Sequence, residues 1–120
     1  MLISQVCNDQ EFERYKSDSI VSDRALREIY LEPFRIAQAA SDPKCYMCVT
    51  NCYNVHTRAA YNRLNGTHCT ENRYLLEGIL RKEWGFKGLV MSDWTAVGSS
   101  AESILAGTDL EMPLVTVARI

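Results

Sequence analysis

Four residues able to bind a metal fall close together near the middle of the chain: Cys45, Cys48, Cys52 and His56, at the spacing C-x2-C-x3-C-x3-H. Thiolate and imidazole donors in that number suit tetrahedral zinc, so one reading is a small metal-binding or interaction module built on them. A second locus is Asp93, which follows the apolar Leu89, Val90 and Met91 and precedes Trp94. A carboxylate in such surroundings needs hydrogen-bond donors or a bound substrate beside it. It is then either a cap for the next helix or a catalytic group at the carboxyl end of a strand. Asp109 and Glu111 form a third locus. Strand alternation puts them on one face, where paired carboxylates can do acid–base work or hold a cation; such residues more often bond to backbone or arginine. The sequence shows no glycine-rich phosphate loop, no Ser/His/Asp grouping and no cofactor motif.

The elements that must position these groups alternate. Ser22 or Asp23 can cap a helix reaching to about Ala40, with Ala25, Leu26, Ile29 and Tyr30 on one face. Pro33 predicts a break near Glu32 and a restart with the proline in the first turn. The apolar run 44–50 suits a buried strand. Residues 62–72 read as a loop, with Asn65-Gly66 as a turn signal. Asn72 then caps a second helix whose buried face is Leu75, Leu76, Ile79 and Leu80. Arg81 and Lys82 lie in its last turns and Gly85 ends it. Residues 88–92 are apolar without alternation, as in a parallel strand covered on both faces. A helix over 99–106, closed by Gly107, and a strand within 108–113 complete the order. Helix, strand, loop, helix, strand, helix, strand predicts a parallel α/β architecture with about three strands. That is too few to close an eight-stranded barrel, so the chain reads as an arc of something larger, with Asp93 at the carboxyl end of a strand.

Bulk properties narrow the class. The 120 residues carry 13 Lys+Arg against 15 Asp+Glu, a formal net charge of −2, which gives no basic surface for nucleic acid. No run of about 18 apolar residues is present to span a membrane. The first residues lack the basic region, long apolar stretch and cleavage site of a signal peptide, and the compartment is unknown from sequence. Five cysteines leave at least one unpaired; Cys7 and Cys69 are isolated and read as small buried apolar residues rather than parts of a disulfide framework.

The segments YNRLNG (61–66), NRYLLEGILRKEWGFKGLVMSDW (72–94) and AGTDLEMP (106–113), preceded by NDQEFER (8–14) and SIVSDRALREIYLEPF (19–34), carry a family pattern. Together they closely resemble the N-terminal catalytic barrel of glycoside hydrolase family 3, especially fungal β-glucosidases. The resemblance implies a partial (β/α)8 barrel, its C-terminal portion, over residues 1–113, with 114–120 a non-matching tail. It implies hydrolysis of terminal β-glucosyl residues with retention, on a β-glucoside or cello-oligosaccharide and without a cofactor. By the same resemblance Asp93 matches the nucleophile of the S-D-W motif and Trp94 lines the glucose subsite. Tyr61 matches the tyrosine of M-x-x-Y-N, and Met47 is a weaker match to its methionine.

The departures define further expectations. Family members carry Lys-His-Phe just before the segment matching Val6-Cys7-Asn8, where this chain has MLISQ. The strands holding a sugar-binding aspartate and arginine are expected to be missing, and the acid/base glutamate belongs to a following domain. Glu28, Glu32, Glu71, Glu77, Glu83 and Glu102 match helix or loop positions, so the chain alone is expected to hydrolyse negligibly. In M-x-x-Y-N two residues separate Met from Tyr, whereas residues 48 to 60 lie between Met47 and Tyr61 here. Residues 48–59 therefore read as an insertion, expected to derive from translated intron sequence. Cys48, Cys52 and His56 lie inside it and Cys45 does not, so the apparent metal knuckle straddles its boundary.

Overall fold

The computed structural model describes residues 2–4, 6, 7, 9, 12, 13, 16–48 and 62–112. Strands β1 (Leu2–Ser4), β3 (Cys45–Cys48), β6 (Leu89–Trp94) and β7 (Leu110–Met112) form one sheet in the order β1-β3-β6-β7, with every neighbouring pair parallel. The sequence predicts about three strands; Leu2–Ser4 adds a fourth. Three residues are too short for any periodic signal, and pairing with β3 is what makes them a strand. The connections between successive strands carry helices, as parallel pairing requires.

A second, small sheet has the order β2-β4-β5, from Asp18–Ser19, Arg63–Leu64 and Thr67–His68. The turn between β4 and β5 is Asn65-Gly66, both at positive φ (50° and 88°), the geometry of a two-residue hairpin turn that asparagine and glycine tolerate best. The Asn65 side chain also bonds the N–H and the carbonyl of Val21, each at 2.9 Å, tying the hairpin to the first helix. A stretch read from sequence as loop is thus a hairpin whose strands are too short to alternate visibly.

Helix α1 (Asp23–Ala25) begins where Ser22 Oγ accepts the Ala25 N–H at 3.3 Å, and it runs on as the π-helix Leu26–Tyr30. Helix α2 (Glu32–Ser41) restarts with Pro33 in its first turn. The expected second helix is present as a π-helix, Tyr74–Glu83, its start marked by Asn72 Oδ1 accepting the Leu75 N–H at 3.2 Å. Its buried residues are Leu75, Leu76, Ile79 and Leu80, the face read from the sequence. Each such side chain contributes about 1.5–3 kcal/mol by leaving water. Helix α3 (Ser100–Ala106) is capped by Ser99 and ends at Gly107, at φ 110°.

These faces build two core clusters. Cys7, Leu26, Leu31, Leu64, Cys69, Leu75 and Ile79 form one, and Tyr46, Leu76, Leu80, Phe86, Val90 and Ala106 the other, with Trp84 packed against both. On the surface Arg27 joins the first helix to the π-helix Tyr74–Glu83 by bonding both Glu83 oxygens at 2.8 Å and the Tyr74 hydroxyl. The Tyr74 hydroxyl in turn bonds Asp23, and that bond, with Arg27 beside it, holds the Asp23 carboxyl below the usual aspartate range.

Candidate functional site

Asp93 sits at the carboxyl end of β6 and is 8% exposed. Its position comes from an irregular register. Met91 pairs with Leu110 and Trp94 with Met112, so three steps along β6 face two along β7. The extra residue makes a bulge, a device that breaks the ladder locally and re-aims a side chain. The break leaves backbone donors to be satisfied another way. Ser92, fully buried, does this: its Oγ accepts the Met112 N–H at 2.8 Å and donates to the Asp93 carbonyl at 2.9 Å. Asp93 Oδ1 accepts the N–H of Trp94. Trp94 itself, the next residue, is 59% exposed.

The chain then turns sharply. Ala96 N–H donates to the Asp93 carbonyl at 3.2 Å, closing a four-residue turn in which Thr95 has φ 61°. For a β-branched residue that conformation is strained, and it persists only where the surroundings hold it. They do so from two sides. Thr95 N–H donates to the Met112 carbonyl at 2.9 Å. The 3₁₀ turn Cys69–Glu71 supplies the rest: Thr70 Oγ1, buried, donates to the Ala96 carbonyl at 3.2 Å, and Glu71 Oε1 accepts the Ser99 N–H at 2.7 Å. Thr108 Oγ1 donates to the Thr70 carbonyl at 2.9 Å, so this turn is anchored to the segment entering β7.

The aspartate therefore does not cap the following helix; Ser99 holds that place, and Asp93 stands at the strand end where a ligand could approach. Met47 lies on β3 opposite Met91, two residues short of Asp93 along the strand. Tyr61, Cys52 and His56 fall outside the described residues, as do 49–59 of the expected insertion and the tail 114–120. Cys45 is a half-buried free thiol on β3, and Cys48 ends that strand. Among the described residues no group of three or more His, Cys, Asp or Glu side chains could hold a metal ion.

Asp109 and Glu111 do not act as a pair. Asp109 Oδ2 accepts from Arg81 at 2.6 Å and from the Val90 N–H at 2.8 Å, fastening the start of β7 to β6 and to the π-helix. Glu111 instead accepts from the Ser100 hydroxyl at 2.9 Å, at the start of α3. Sequence reasoning missed Ser92, Thr70, Glu71 and Thr108. Ser92 stood next to the candidate aspartate and could have been suspected. The other three act across 26 to 38 residues of sequence, and no local spacing signals them.

A buried carboxylate at a bulge, at the carboxyl end of a strand in a parallel helix-covered sheet, is where α/β enzymes hold catalytic groups. The chain belongs to glycosyl hydrolase family 3: the N-terminal domain of that family matches residues 15–116. Among curated proteins it is 53% identical over 108 residues to a probable beta-glucosidase I of Aspergillus terreus, an alignment covering 90% of this chain and 12% of that protein. Among solved structures it is similar to the GH3 beta-glucosidase of Bifidobacterium adolescentis (TM-score 0.81, 41% identity, 93% of this chain and 15% of that one). It is also similar to the beta-glucosidase of Kluyveromyces marxianus in complex with glucose (TM-score 0.80, 46% identity, 95% and 12%). The chain thus spans about an eighth of the length of the curated relatives it matches.

Proposed function

We propose that residues 1–113 form the nucleophile-bearing arc of a (β/α)8 barrel in a retaining β-glucosidase, with Asp93 as the nucleophile. The observation that carries the reading is the bulge at Ser92–Asp93, which places a buried carboxylate with a fixed backbone at a strand end in a chain of this family. In the reaction, the Asp93 carboxylate attacks the anomeric carbon of a terminal β-glucosyl unit while an acid protonates the departing oxygen. The resulting ester is then hydrolysed by water, which the same acid, now a base, deprotonates. Two inversions give net retention. Trp94 is assigned to the glucose subsite, as is Tyr61 by its match to the tyrosine of M-x-x-Y-N, with Met47 the weaker match to that motif's methionine.

The acid/base group is proposed to come from outside this chain. Glu28, Glu32 and Glu83 each hold an arginine at the surface, and Glu71 holds a backbone N–H. The chain alone is therefore expected to hydrolyse an aryl β-glucoside no faster than its Asp93→Asn variant. Function is tested in a hybrid, in which this chain without residues 49–59, so that Cys48 and Ala60 alone separate Met47 from Tyr61, replaces the matching stretch of the Aspergillus terreus relative. The hybrid should release β-glucose first, seen by proton NMR, and Asp93→Asn should lower kcat at least about a hundredfold. Release of α-glucose first, or full activity of the Asn variant, would refute the reading.

A further inference from the structure

Glu71 has no part in the reaction proposed above, yet its carboxylate is built into the loop that leaves Asp93. Oε1 accepts the Ser99 N–H at 2.7 Å, and a Cβ added at Gly98 would lie 2.7 Å from that same oxygen. A side chain at residue 98 would therefore oblige the Glu71 carboxylate oxygen to shift from where it accepts the Ser99 N–H. Next to it, Thr70 holds the Ala96 carbonyl, and Ala96 N–H holds the Asp93 carbonyl. The 3₁₀ turn thus grips both ends of the segment 96–99, while the strained Thr95 lies between that segment and Asp93. A turn with a β-branched residue at positive φ relaxes unless it is held at both sides. Met112 holds it from the β7 side. The side toward α3 is held by Thr70 and Glu71.

We propose that Glu71 is a positioning residue: its carboxylate clamps the Gly98–Ser99 backbone and thereby fixes the strained turn that aims Asp93 and Trp94. The role rests on reading Asp93 as the nucleophile, but the clamp itself is a matter of geometry. It predicts that an acceptor at position 71 is required and that negative charge is not. It also predicts that an alanine at Gly98, which would push the carboxylate oxygen away, reproduces the loss of the carboxylate.

The test uses the full chain and three variants: Glu71→Gln, Glu71→Ala and Gly98→Ala. Two readouts are followed, hydrogen exchange of the Ser99 amide by NMR and the rate at which Asp93 couples to an amine through a water-soluble carbodiimide, mapped by peptide mass. In the unmodified chain the Ser99 amide should be protected. Glu71→Ala and Gly98→Ala should each lower that protection about tenfold, the loss of roughly one hydrogen bond. They should also change the coupling rate at Asp93 severalfold, while Glu71→Gln retains most of both. An unprotected Ser99 amide in the unmodified chain would overturn the proposal. So would an Asp93 coupling rate indifferent to Glu71→Ala, or a Gln variant as impaired as Ala. Neither readout involves turnover, so the clamp can fail while the glycosidase reading stands, and the reverse.

Discussion

The Ser92 hydroxyl accepts the Met112 N–H at 2.8 Å across the bulge between β6 and β7, and it donates to the carbonyl of Asp93 at 2.9 Å. One buried oxygen thus bridges the last strand to the backbone of the candidate nucleophile. Ser92→Ala removes the acceptor and leaves a part-buried N–H without it. The expected cost is about 1–3 kcal/mol in a denaturant melt. Ser92→Thr, which keeps the hydroxyl, should lose less unless its extra methyl cannot be packed.

Thr95 gives the opposite sign. At φ 61° it pays a conformational cost that glycine does not. Thr95→Gly should alter stability little or raise it by up to about 1 kcal/mol, because relief of strain is set against the added freedom of the unfolded chain. The same change should loosen the turn, so exchange of the Ala96 amide is expected to quicken even where the melting temperature rises. A slower Ala96 amide would contradict this account of the strain.

Asp109 is a fastener rather than a catalyst. Asp109→Ala leaves the Val90 N–H and the Arg81 guanidinium without that carboxylate and should destabilise by about 1–3 kcal/mol. Asp109→Asn keeps an acceptor for one of them and should lose less. In the hybrid enzyme neither change should approach the loss caused by Asp93→Asn; an equal loss would move Asp109 into the reaction.

Much of this was readable from local pattern. The caps at Ser22 and Asn72, the restart at Pro33 and the buried face Leu75, Leu76, Ile79 and Leu80 all follow from short-range hydrogen bonding and helical spacing, whereas the cap of the last helix, for which Asp93 was the candidate, lies at Ser99. The role of Asp109 was also foreseen in kind, a carboxylate bonded to backbone and arginine. What could not be read depends on pairing between distant segments. Leu2–Ser4 becomes a strand only because Tyr46, Met47 and Cys48 lie opposite it. The bulge exists only in the register of β6 against β7, and Glu71 meets Ser99 only once both elements are folded. Periodicity has no access to such contacts.

Cys7 supplies a pH dependence. Burial, with Asp9 adding to it, pushes its thiol up to about 12 from 9.0. Between those values the unfolded chain has lost the proton and the folded chain keeps it, so the unfolded state binds fewer protons and stability falls as pH rises. The contribution is fully present below about pH 9. Denaturant melts at pH 8 and pH 10 should show the loss, and Cys7→Ser should reduce the difference. At pH 8 iodoacetamide should modify half-buried Cys45 before the buried Cys7 and Cys69.

The most direct measurement is where a trapped sugar ends up. The hybrid enzyme is incubated with 2-deoxy-2-fluoro-β-glucosyl fluoride, whose fluorine at C2 slows both formation and breakdown of the glycosyl-enzyme while its reactive leaving group restores formation alone, so the adduct accumulates. Peptide mass spectrometry then locates the adduct. The account predicts one fluoroglucosyl group on Asp93, absent from the Asp93→Asn hybrid. An adduct on any other residue, or labelling undiminished by that substitution, would contradict it.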